Sequence, residues 1–171
     1  MEYNKSKTCC LPFNGQNGLD LITSIYLIRT FIQPILAYSL EIILPTSQNI
    51  EKLEKFQRQL LKKILTLSIN TPDSAIFIVT GFLPVIAQIE RKALTIFNNI
   101  CRQKDNAIEK RIGLRQLTVK DMDSNSWFIA IKKMLYKYKL LDPITLMNNP
   151  PRKLEWKNLS ILHSTNTGQT C

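Results

Sequence analysis

The run IEKLEKFQRQLLKKIL at residues 50–65 limits the possible folds more than any other stretch, because it repeats at the helical period and leads straight into two breaks. At about 100° per residue, Ile50, Leu53, Phe56, Leu60, Leu61, Ile64 and Leu65 share one broad arc. Lys52, Lys55, Lys62 and Lys63 take the opposite arc, with Arg58 at its edge. Glu51 with Lys55 and Glu54 with Arg58 are Glu-first pairs four apart, an order that supports a helix by about 0.2–0.5 kcal/mol each. Thr46 or Ser47 can cap the start, Pro45 stops any preceding helix, and the helix is expected over about 47–67.

Downstream, Thr71 as cap with Pro72 in the first turn predicts a short helix over 72–80, stopped by Gly81. Pro84 opens another helix to about Cys101, with Ile86, Ile89, Ala93, Phe97 and Ile100 as its buried stripe. A short charged helix is expected around 107–111, broken by Gly113. Ser124 or Ser126 caps a helix to about Leu140, with Trp127, Ile131, Met134, Leu135 and Tyr138 as the apolar face. Pro143, Pro150 and Pro151 punctuate a short helix and an extended piece. Upstream, Asp20 caps a helix through about Thr30 that kinks or restarts at Pro34 and runs to about Ile43. Few segments alternate apolar with polar, so an all-α fold is expected: an irregular bundle of about five to seven helices. Residues 1–18 read as a polar loop, 19–160 as one helical domain and 161–171 as a disordered tail.

Charge is unevenly placed. Residues 1–50 balance, whereas residues 51–171 hold 20 Lys and Arg against 10 Asp and Glu, the whole net charge of +10. That asymmetry suggests a polyanion-facing later part of the chain, and a ribosome-like or membrane-surface role would produce it equally, so it indicates a partner class and no more. The long apolar stretch over 21–44 is interrupted by Arg29, Gln33 and Glu41 and carries Pro34 at its middle. A charge near a bilayer centre costs about 2.5–3.5 kcal/mol on insertion scales, so a kinked buried helix is expected there and no membrane span. No charged-then-apolar leader opens the chain, and an intracellular place, nuclear or cytoplasmic, is expected.

Catalytic chemistry is hard to find. Cys9, Cys10, Cys101 and Cys171 form no CxxC, and His163 is the only histidine, so free thiols in a reducing compartment are expected and no zinc site. Asp121 and Asp123 form a lone DxD in a polar stretch without a third oxygen ligand. The glycines are scattered singly, so no phosphate loop occurs. No cofactor, no metal, no small-molecule substrate and no catalysis by this chain on its own are expected.

Several elements together carry a resemblance. They are Asn17-Gly18-Leu19; Ile25-Tyr26 with Thr30-Phe31-Ile32 and Pro34; Leu36-Ala37-Tyr38-Ser39-Leu40-Glu41; and Leu53-Glu54-Lys55-Phe56-Gln57-Arg58-Gln59-Leu60-Leu61-Lys62. Asn70-Thr71-Pro72, Gly81-Phe82-Leu83-Pro84 and Ser126-Trp127-Phe128 follow. In this order, over roughly residues 11–160, the chain resembles the region downstream of the catalytic palm in reverse transcriptases of non-LTR (LINE-like) retrotransposons. The resemblance implies a helical thumb and connection that grips a primer–template duplex. The paired-aspartate motif of such polymerases stands nowhere in the sequence, so a fragment, or a truncated or degenerate copy, of a longer protein is expected.

On this reading Lys52, Lys55, Arg58, Lys62 and Lys63 form one phosphate-facing patch on RNA or an RNA–DNA duplex. Lys132, Lys133 and Lys137 form a second, with Tyr136 able to stack on a base or sugar. The alternatives are a helical protein-interaction module, whose basic faces serve solubility or acidic partners, and a decayed remnant that does not fold without the missing palm.

Overall fold

The computed structural model describes residues 20–156, and within them it is all-helical, with no strand. The expected loop at 1–18 and tail at 161–171 lie outside the described residues, as do Cys9, Cys10, Cys171 and His163. The order is α1 (Leu21–Leu27), a π-helical turn (Ile28–Ile32), α2 (Gln33–Leu36), α3 (Leu40–Ile43), α4 (Ser47–Ile64) and α5 (Asp73–Thr80). Then come α6 (Val85–Cys101), α7 (Ile108–Val119), α8 (Trp127–Lys137) and α9 (Pro143–Asn148). There are more helices than expected because the first helical region is broken into pieces.

Asp20 caps α1 by accepting a hydrogen bond from the Thr23 amide at 3.2 Å. Pro34 has no amide to donate back to Thr30, and its ring crowds that carbonyl. The chain answers by widening the preceding turn to a π turn, closed by the Gln33 amide on the Ile28 carbonyl. Ser39 and Leu44 then take left-handed backbone, with φ of 59° and 48°, and bound α3 on both sides. The 21–44 stretch is therefore a bent chain of short helices. Among the described residues no single helix is long and apolar enough to cross a membrane. The bent pair α5 and α6 passes on length and composition alone, at 54°.

Two apolar clusters hold the bundle. Ile28, Leu61, Ile64, Ile76 and Phe82 join the π turn, α4 and α5. Leu94, Phe97, Leu117, Phe128, Leu135 and Met147, with others, join α6, α7, α8 and α9. The helix α6 packs on α3, α4, α7, α8 and α9, and so ties the two clusters together. The buried residues of α6 include Ile89, Ala93 and Phe97, as its period requires.

Three local expectations are corrected. Gly113 does not break a helix: α7 runs through it from Ile108 to Val119. A Cβ there would stand 2.6 Å from the Phe128 ring and 2.7 Å from the Met147 methyl, so glycine serves helix packing at this position. The short helix expected over 72–80 begins at Asp73, with Pro72 extended in the cap position and no side-chain cap from Thr71. It ends as expected at Gly81, in left-handed backbone at φ 63°, whose amide closes on the Phe77 carbonyl. Ser126 occupies the cap position of α8, but its hydroxyl bonds the Gln116 side chain instead of capping, and α8 stops at Lys137.

Cys101 sits at the end of α6 inside the second cluster, and burial pushes its thiol up from 9.0 to about 12. The folded state keeps that proton where the unfolded state releases it. The associated stability is whole below pH 9.0 and fades as pH climbs toward about 12. Native-state alkylation near neutral pH, read peptide by peptide in a mass spectrometer, is expected to leave Cys101 unmodified until the chain is unfolded. Rapid labelling of Cys101 without denaturant would contradict this packing.

Candidate nucleic-acid interface

The helix α4 buries a narrower and differently centred stripe than its apolar residues suggest. Gln57, Leu61 and Ile64 are buried, while Phe56 is 49% exposed. Gln57 earns its place through one bond: its amide donates to the Leu83 carbonyl at 3.0 Å, in the loop between α5 and α6. Glu54 reaches the same region, accepting from the Ile86 amide at 3.5 Å.

This orientation splits the five expected cations of α4. Arg58 bonds Asp73 at 3.1 Å and approaches Glu54 at 3.6 Å. Lys62 meets the other oxygen of Asp73 at 3.1 Å and donates to the Ile69 carbonyl at 2.8 Å, which leaves its side chain 15% exposed. Both therefore turn sideways onto the start of α5, where Asp73 also complements the helix dipole. Each such half-exposed pair contributes about 0–1 kcal/mol. The single five-residue patch is corrected accordingly: Arg58 and Lys62 are tied to the chain's own acids. Lys52, Lys55 and Lys63 remain exposed and make no ion pair among the described residues, with Gln59 and Phe56 between them. The three span about 16 Å along the axis, roughly five base-pair rises of a duplex.

The second expected patch divides in the same way. Lys137 donates to both carboxylate oxygens of Glu90, at 2.7 and 2.9 Å, and lies 5.1 Å from the Tyr138 ring centre. Glu90 is buried at 8% side-chain exposure, so Lys137 and the Tyr138 hydroxyl, which also bonds it, compensate a charge that would otherwise be costly. Burial, and then that bond, hold the Tyr138 phenol above its ordinary range. Tyr136 donates to Asp142 at 3.1 Å, and this contact raises its phenol pKa. Asp142 meanwhile caps α9 through the Ile144 and Thr145 amides. Lys133 is exposed, and Lys132 is half-buried. As successive residues these two point about 100° apart, and only Lys133 stands on the exposed side of α8.

Of the nine expected contact residues, five keep their polar groups free of partners among the described residues: Lys52, Lys55, Lys63, Lys132 and Lys133. Three of these share one helix face. Arg29, noted in the sequence only as an interruption of an apolar run, has a definite structural task. Its guanidinium donates to the Thr80 and Gly81 carbonyls at 3.2 and 3.3 Å, closing the end of α5, and lies 5.0 Å over the Phe82 ring. The signal was present: a guanidinium inside an apolar helix has to find acceptors.

Among the described residues, no three His, Cys, Asp or Glu side chains are grouped so that they could hold a metal ion. No protein-family model, curated protein or solved structure matches this chain.

Proposed function

We propose that this chain is the thumb-and-connection portion of a LINE-like reverse transcriptase, which holds primer–template nucleic acid by its phosphates and supplies no active site of its own. The observation that carries this reading is the exposed face of α4, where Lys52, Lys55 and Lys63 line up with no carboxylate bonded to them among the described residues. The ordered resemblance on either side of that helix, from the proline-bearing segment to the Gly81–Pro84 turn, supports it, as does the net charge of +10. Cations fixed along a helix give backbone binding without base readout.

A second reading, a protein-interaction module, is favoured by a specific observation. Ile22, Tyr26, Phe31, Ile35, Tyr38 and Ile43 are each more than half exposed along α1–α3, an unusual concentration of uncovered apolar surface. On the first reading that face seats against the rest of the parent polymerase. On the second it is the whole function.

Anisotropy of a labelled RNA–DNA hybrid, titrated with the chain at several salt concentrations, separates them. The nucleic-acid reading expects log affinity to fall linearly with log salt, with a slope of about −3 for the three phosphate contacts of the α4 face. Absence of binding at low salt refutes it and leaves the interaction module. A cooperative thermal transition in the same preparation would eliminate the remnant that cannot fold alone.

A further inference from the structure

A concave site of about 360 Å³ opens between the π turn and α6, roofed by the Gly81–Leu83 loop. Its charge is all of one sign. Arg29 and Gln33 reach it from one side, four residues apart, and Gln88, Arg91 and Lys92 from the other, at helical spacings of three and four. No Asp or Glu lines it. Glu90, the acid of this part of α6, is committed to Lys137 and Tyr138.

Arg29 is already held by the Thr80 and Gly81 carbonyls and by the Phe82 ring, so one cation of the site is preorganised and needs little ordering on binding. Arg91 and Lys92 are exposed and make no ion pair among the described residues. The volume lies in the range of small-molecule sites, about 300–1,000 Å³, and is far below what a protein segment or a duplex requires. Uncompensated cations that converge on such a volume are matched by a compact polyanion, and planar guanidinium groups suit phosphate oxygens.

From this geometry we infer that the pocket binds the polyphosphate group of a small anion of nucleoside di- or triphosphate size. Lys52, Lys55 and Lys63 do not line the pocket, so the inference stands apart from the duplex-binding reading.

Calorimetric titration of the full chain in about 0.15 M salt, where exposed charges are screened, tests it with tripolyphosphate, ATP and adenosine as ligands. Tripolyphosphate and ATP are expected to bind saturably and adenosine not at all. R91E/K92E is expected to weaken ATP binding by at least about tenfold with an unchanged circular dichroism spectrum, and R91A to weaken it by less. K52E/K63E is expected to leave it unchanged, whatever that variant does to hybrid binding. The inference is overturned if tripolyphosphate does not bind, if adenosine binds as well as ATP, or if R91E/K92E and R91A both bind ATP like the parent chain. It is also overturned if K52E/K63E loses ATP binding as R91E/K92E does, since the anion would then sit on α4.

Discussion

Phe97→Ala is expected to lower the free energy of unfolding by about 3–5 kcal/mol, a large part of the 5–15 kcal/mol typical of a whole domain. Phe97 is 0% exposed in the C-terminal half of α6, and its ring meets Phe128 edge-on at 6.5 Å between centres. Truncation therefore removes apolar burial and an aromatic contact together. The hole cannot close easily. Phe128 is already pressed against Gly113 of α7, and Met147 of α9 against the same glycine, so four helices are fixed around the site. Urea unfolding followed by circular dichroism measures the effect, expected as a lower midpoint at unchanged slope. An Ala variant within about 1 kcal/mol of the parent would mean that the Phe97 ring is not packed among α6, α7, α8 and α9 in this way.

The same neighbourhood shows how far the fold could be read from the chain. The existence and order of α4, α5, α6 and α8 follow from apolar spacing and from Gly81 and Pro84, which are local signals. Gly113 misled because glycine's helix-breaking tendency is also local, whereas its tolerance inside α7 is set by Phe128 and Met147 from other helices. Phe56, expected on the apolar arc, is exposed while its neighbour Gln57 is buried, for a similar reason. Hydrophobicity ranks Phe above Gln for burial, but the Leu83 carbonyl, 26 residues away, accepts from the Gln57 amide nitrogen, while the buried Gln57 side-chain oxygen has no partner among the described residues.

The candidate site divided along the same line. A helical wheel places Arg58 and Lys62 among the solvated cations, and only the turn that brings Asp73 back beside α4 reveals their commitment. Glu90 claims Lys137 across 47 residues in the same manner. The pocket of Arg29, Arg91 and Lys92 was not visible at all, because its charges are brought together by folding and by no motif.

Lys52→Glu, Lys55→Glu and Lys63→Glu combined are expected to lower affinity for an RNA–DNA hybrid by about two to three orders of magnitude near 0.1 M salt. Removing three phosphate contacts should also flatten the log–log salt slope by about 3. The two quantities are linked, since the lost affinity is the lost release of condensed counterions. A drop in affinity at constant slope would point to damage elsewhere. These three side chains make no ion pair among the described residues, so the melting temperature should stay near that of the parent. Arg58→Glu with Lys62→Glu is the discriminating comparison. There the new carboxylates face Asp73, so stability falls while the salt slope changes much less. If instead the Arg58 and Lys62 pair flattened the slope and the exposed three did not, the duplex would have to displace Asp73 to bind, and the exposed face of α4 would be an ordinary solvated surface.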